Sequence, residues 1–64
     1  MTEYTHYNVR FVGDYFTCDV PVTRPDDLPE DYDQVIATAD ETFQALYGWA
    51  PLDYADGGVE VERV

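Results

Sequence analysis

The chain contains no lysine and no serine, and only one cysteine and one histidine. Each shortage closes off a class of function. Arg10, Arg24 and Arg63 are the whole basic complement, against 14 Asp and Glu residues and a net charge of −11 at pH 7. Binding to nucleic-acid phosphates draws on cations that release condensed counterions, so direct nucleic-acid binding is not expected. An anionic membrane surface would also repel the chain. His6 has no serine to activate. Cys18 and His6 fall on opposite faces of the strands expected below, so no Cys–His dyad forms within one chain. No enzymatic activity is expected. A single cysteine allows no internal disulfide, and with one histidine there is no Cys/His zinc set. The segments Asp31-Tyr32-Asp33 and Asp53 to Gly57 lack the oxygens at fixed offsets that a calcium loop requires. Neither metal nor cofactor is expected. No stretch reaches about 20 apolar residues. The start, Met1-Thr2-Glu3-Tyr4, lacks the basic and apolar regions of a secretory signal. A cytoplasmic or virion location is the expectation.

What is present points to a folded domain. Hydrophobic residues make up 45% and aromatics 16% of 64 residues, which is one small domain over 1–64. A chain this short buries only about 60% of its unfolded surface and is marginally stable. Without disulfide or metal, association with a protein partner or with itself is a natural support.

Residues 4–12 alternate, placing Thr5, Tyr7, Val9 and Phe11 on one face and Tyr4, His6, Asn8 and Arg10 on the other. Gly13-Asp14 suits a two-residue type II′ turn. Residues 15–20 alternate again, with Phe16, Cys18 and Val20 sharing a face. A two-residue loop sets Val12 opposite Tyr15, Phe11 opposite Phe16, Val9 opposite Cys18 and Tyr7 opposite Val20. The polar pairs are then Arg10–Thr17 and Asn8–Asp19. A slip of one residue would mix the faces. Pro21 is expected to end the pairing near Val20.

The connector 21–29 is stiffened by Pro21, Pro25 and Pro29. A helix is expected from Pro29 or Glu30 to Tyr47, with Tyr32, Val35, Ile36, Ala39, Phe43, Leu46 and Tyr47 as its apolar stripe. Gly48 is its natural terminator and Pro51 prevents continuation. Residues 49–54 form an apolar, ordered loop. Val59 to Glu62 alternate as a short last strand. The expected architecture is α+β, a two-layer β-β-α-β sandwich. Its three-stranded, mainly antiparallel sheet has the order 2-1-3, with one helix on one face.

Two features bear on function. The first is the acid. Asp26, Asp27, Glu30, Asp33, Asp40 and Glu41 form a candidate acidic face, because carboxylates at helical i, i+3 and i+4 spacing lie about 5–6 Å apart, comparable with neighbouring phosphates. That face would suit an inhibitor mimicking nucleic acid on a DNA-binding enzyme. The row is broken at Ala37, and acids also stand in the loop 53–56 and at Asp19, Glu60 and Glu62. This spread favours a salt-adapted surface over a mimic. The second feature is the aromatics. Tyr4 and Tyr15 are expected to point away from the helix, and Trp49, Leu52 and Tyr54 crowd the segment after it. Tyrosine and tryptophan are preferred interface anchors. Tyr4, Tyr15, Trp49 and Tyr54 are therefore the candidate partner-binding residues, with Trp49 and Leu52 also suited to closing the end of the core.

The hairpin-then-helix opening and the acidity resemble small antitoxin domains and phage-encoded inhibitors of DNA-processing enzymes. The likeness lies in architecture and charge and carries over no residues. The function expected is that of a non-enzymatic, acidic protein-binding module. It would serve as an accessory or structural subunit of a larger halophilic or viral assembly, such as a small virion component. Phage or mobile-element inhibition by mimicry is the alternative.

Overall fold

A computed structural model describes residues 3–64. Three strands and one helix follow in the order β1 (Tyr4–Val12), β2 (Thr17–Pro25), α1 (Tyr32–Tyr47) and β3 (Gly58–Arg63), with a 3₁₀ turn at Pro51–Tyr54 before β3. The sheet is antiparallel in the order β2-β1-β3, and α1 packs on one face. The chain is thus a small α+β domain of the expected order 2-1-3.

The core lies between α1 and the inward face of the sheet. Val9 and Phe11 of β1 and Val35 and Ala39 of α1 are fully enclosed, and Tyr7, Val20 and Val22 are nearly so. Burial of each large side chain contributes about 1.5–3 kcal/mol. Phe16, Cys18, Ile36, Phe43, Val59 and Val61 pack around this centre. The opposite face of the sheet is polar. Arg10 Nε donates to Asp19 Oδ1 at 2.9 Å, Asn8 Nδ2 donates to the same oxygen at 3.1 Å, and Glu60 lies 3.9 Å from Arg10. His6 Nδ1 meets the Thr23 hydroxyl at 3.0 Å.

The hairpin departs from the expected register by two residues. Val12 pairs with Thr17, Phe11 with Cys18, Val9 with Val20, and Tyr7 with Val22. The loop is therefore 13–16, closed by the Gly13 N–H donating to the Phe16 carbonyl at 2.9 Å. Gly13 does not adopt the positive φ of a type II′ turn. A shift of two leaves every residue on its expected face, so the apolar set stays inward. The polar pairs become Arg10–Asp19 and Asn8–Pro21.

Pro21 does not end pairing, which runs on to Tyr4 opposite Pro25. β2 is an edge strand, and its bonding alternates. The N–H of Asp26 donates to the Glu3 carbonyl, so even-numbered residues bond inward. Pro21 and Pro25 occupy outward positions, where no ladder donor is required.

The helix begins later than its periodicity suggests. Asp31 is the N-cap, with extended backbone, and its Oδ1 accepts from the N–H groups of Asp33 at 3.0 Å and Gln34 at 3.3 Å. Such a cap is worth about 1 kcal/mol and overrides Pro29 as a starting point. Asp26, Asp27, Glu30 and Pro29 all precede α1. At the other end Gly48 has φ 81° and donates to the Gln44 carbonyl at 2.9 Å, the expected left-handed stop. The apolar stripe is narrower than expected: Tyr32, Leu46 and Tyr47 are exposed, although the Tyr32 ring still meets Tyr7 of β1 edge-on.

Candidate aromatic cleft

The end of the sheet that carries the hairpin loop also receives the chain leaving α1. After Gly48 reverses the backbone, Trp49 is the next side chain, and Pro51, which is buried, opens the 3₁₀ turn. Two ties fix this segment. Asp40 Oδ1 accepts the Leu52 N–H at 3.0 Å, and the Gly57 N–H donates to the Val12 carbonyl at 2.8 Å. Trp49 thereby meets Phe16 edge-on, with centroids 5.2 Å apart, and Phe43 at 4.8 Å. Tyr54 lies 5.9 Å from Trp49, and Phe43 stacks obliquely on Tyr47 at 4.5 Å. Each such pair contributes about 0.5–1.5 kcal/mol beyond its burial.

The arrangement depends on Gly13. A Cβ there would collide with the Phe16 ring. Glycine at this position serves close approach, because it leaves room for the Phe16 ring over the turn, where it backs Trp49.

These elements enclose an open cleft of about 500 Å³, lined by Asp14, Tyr15, Phe16, Trp49, Tyr54 and Asp56. Tyr15 is 100% exposed, Tyr54 59% and Trp49 38%. Three of the four expected partner-binding residues thus share one site. Tyr15 is a loop residue and not the strand partner of Val12. The fourth, Tyr4, stands opposite Pro25 on the polar face of the sheet, at the far end of β1. Leu52 is exposed on the 3₁₀ turn, and Trp49 is the residue that covers the end of the core. Sequence reasoning missed Phe16, which the two-residue loop assigned to the strand, and the two rim carboxylates.

The acidic residues do not form one helical row. Only Asp33, Asp40 and Glu41 of the six lie on α1. Asp26 accepts a hydrogen bond from the Thr5 hydroxyl. Asp40 is committed on both oxygens, to Leu52 and to the Gln44 amide at 2.8 Å. The repeat Asp40 to Gln44, four residues apart, was the available signal for that pairing. Asp19 is held below the usual carboxylate range by hydrogen bonds from Arg10 and Asn8.

The residues capable of chemistry lie apart. His6 is on the polar face of the sheet. Cys18 is on the helix-facing side, opposite Phe11 rather than Val9. Burial pushes its thiol above the ordinary value, away from the reactive thiolate. Among the described residues no group of three or more His, Cys, Asp or Glu is placed to hold a metal ion. Nor is any helix there long and apolar enough to cross a membrane. A second cavity, of about 280 Å³, lies at the opposite end, where Arg24 and Arg63 are interleaved with Asp26 and Glu30. Arg24 there donates to the Asp31 carbonyl at 3.1 Å, bracing the helix start. No protein-family model, curated protein or solved structure matches the chain.

Proposed function

We propose that this chain is a non-enzymatic, acidic protein-binding module. It docks as an accessory or structural subunit onto a larger assembly through the aromatic cleft. The observation that carries this reading is the convergence of Tyr15, from the hairpin loop, with Trp49 and Tyr54, from the segment after α1, on one open cleft. Rigid aromatic side chains bring large contact area at small entropic cost, which is why they dominate interface energetics. Tyr15 makes the point most sharply. Its ring is wholly in water, so it contributes nothing to the core, yet it stands at the mouth of the cleft. The partner is another protein rather than a copy of the chain at low salt, because two surfaces each belonging to a −11 chain repel.

A library of random peptides selected on the wild type and counter-selected on Tyr15→Ala/Tyr54→Ala tests this reading. Enriched peptides are expected to bind the wild type and to lose binding to the variant. Enrichment of peptides that bind both proteins equally would place the contact surface elsewhere and refute the reading.

A further inference from the structure

We infer that the occupant of the cleft is an arginine side chain from a basic segment of the partner protein. This rests on the cleft being the docking surface. Four aromatic rings line it, and the π face of each is a region of negative potential that attracts cations. Two carboxylates, Asp14 and Asp56, stand on its rim, and no positively charged side chain lines it. Both carboxylates are exposed, so they are free to meet an incoming group. Of the three arginines, Arg10 is engaged by Asp19 on the polar face, while Arg24 and Arg63 line the cavity at the far end.

Arginine fits this chemistry better than lysine. Its guanidinium is planar and weakly hydrated, so it stacks on a ring face and still presents paired donors to a carboxylate. A strongly hydrated ammonium gives up more water to enter the same place. At about 500 Å³ the cleft exceeds one side chain, leaving room for the flanking backbone. The charge of the whole chain works in the same direction. At −11 it draws a basic segment toward the surface, and the cleft then selects the side chain.

Trp49 is the only tryptophan and forms a wall of the cleft, so its emission reports occupancy. Wild type and Tyr15→Ala/Tyr54→Ala, which carry the same net charge, are titrated at low salt with three capped glycine-flanked peptides. These carry arginine, its neutral isostere citrulline, or leucine at the centre. Both tyrosines are exposed, and circular dichroism verifies that the variant is folded. The arginine peptide is expected to shift Trp49 emission and to bind about tenfold more tightly than the citrulline peptide. The variant is expected to lose most of that margin, and Asp14→Asn/Asp56→Asn, which keeps the rings, part of it. Equal binding by the citrulline peptide, or tighter binding by the leucine peptide, overturns the arginine assignment and leaves the cleft as a docking surface. A wild-type dimer that the tyrosine variant cannot form assigns the cleft to a second copy and also overturns it. Silence from all three peptides overturns the assignment and the docking reading together.

Discussion

Replacing Asp40 by alanine separates a structural carboxylate from a merely charged one. Asp40 Oδ1 holds the Leu52 N–H at 3.0 Å and Oδ2 holds the Gln44 amide at 2.8 Å. Hydrogen bonds to a charged acceptor contribute about 1.5–3 kcal/mol each. Asp40 is half-buried, and water competing at this site reduces the pair to about 1–2 kcal/mol together. Two effects oppose the loss. Removing a carboxylate relieves repulsion in a −11 chain, and alanine is a better helix former by up to about 0.7 kcal/mol. Glu41→Ala is the control. It removes the same charge from the next position, which is exposed and makes no hydrogen bond among the described residues. Most of the opposing terms cancel in the comparison, leaving a net difference of about 1 kcal/mol. In a domain of this size that corresponds to about 4–8 °C in Tm. Thermal melts followed by circular dichroism should therefore place Asp40→Ala about 4–8 °C below Glu41→Ala. Trp49 emission should move to the red as the 3₁₀ turn loosens. Melting temperatures within about 1 °C of each other would refute the assignment of Asp40 as the tie between α1 and the cleft.

Gly13→Ala must displace the Phe16 ring, so urea titration should show a loss of about 1–3 kcal/mol. In a Phe16→Ala background the same change should fall below about 0.5 kcal/mol, and an undiminished loss there would refute steric exclusion as its cause. Asp19 has a lowered pKa in the folded chain, so its ion pair with Arg10 stabilises above the unfolded value of about 3.9 and is lost as pH falls through the folded value. The stability difference between wild type and Asp19→Asn should accordingly be largest near neutrality and vanish in strong acid; a difference independent of pH sinks the assignment. Potassium chloride between about 0.1 M and 1 M shortens the screening length from about 10 Å to about 3 Å. Tm should rise over that range, and a flat or falling Tm would show that self-repulsion does not limit stability.

Parity was the part of the fold most legible in the sequence. Tyr7, Val9, Phe11, Cys18 and Val20 alternate, and any even shift of the hairpin leaves them on the same face, while Val22, assigned to the connector, joins them only in the longer strand of the structure. For that reason the faces were readable and the loop length was not. A two-residue and a four-residue turn satisfy the same pattern, and the packing of the Phe16 ring over Gly13 in the longer turn is a contact with no periodic signature. Pro21 was misread for a related reason. A proline terminates a strand only when its N–H would face a neighbour; a two-residue loop turns position 21 toward β1, whereas the observed register turns it to the open edge of β2. The helix start turned on Asp31 rather than Pro29, a competition between two acceptable openings that only cap geometry resolves. Tyr15, Trp49 and Tyr54 could each be picked out by residue type. Their meeting could not, because it requires the four-residue loop, the reversal at Gly48 and the Asp40 tie all at once.

The two prolines of β2 give the sheet a valence of one. Along its open edge, positions 21 and 25 offer no N–H to an arriving strand, so a ladder cannot be continued there in regular fashion. The other margin, β3, keeps its backbone donors and carries the charges of Glu60, Glu62 and Arg63. Two chains joined edge to edge through β3 would form a six-stranded ribbon with a proline-blocked β2 at either side, and the ribbon would stop. Any polymer reached through this sheet ends at two, and a fibre would first have to displace those prolines.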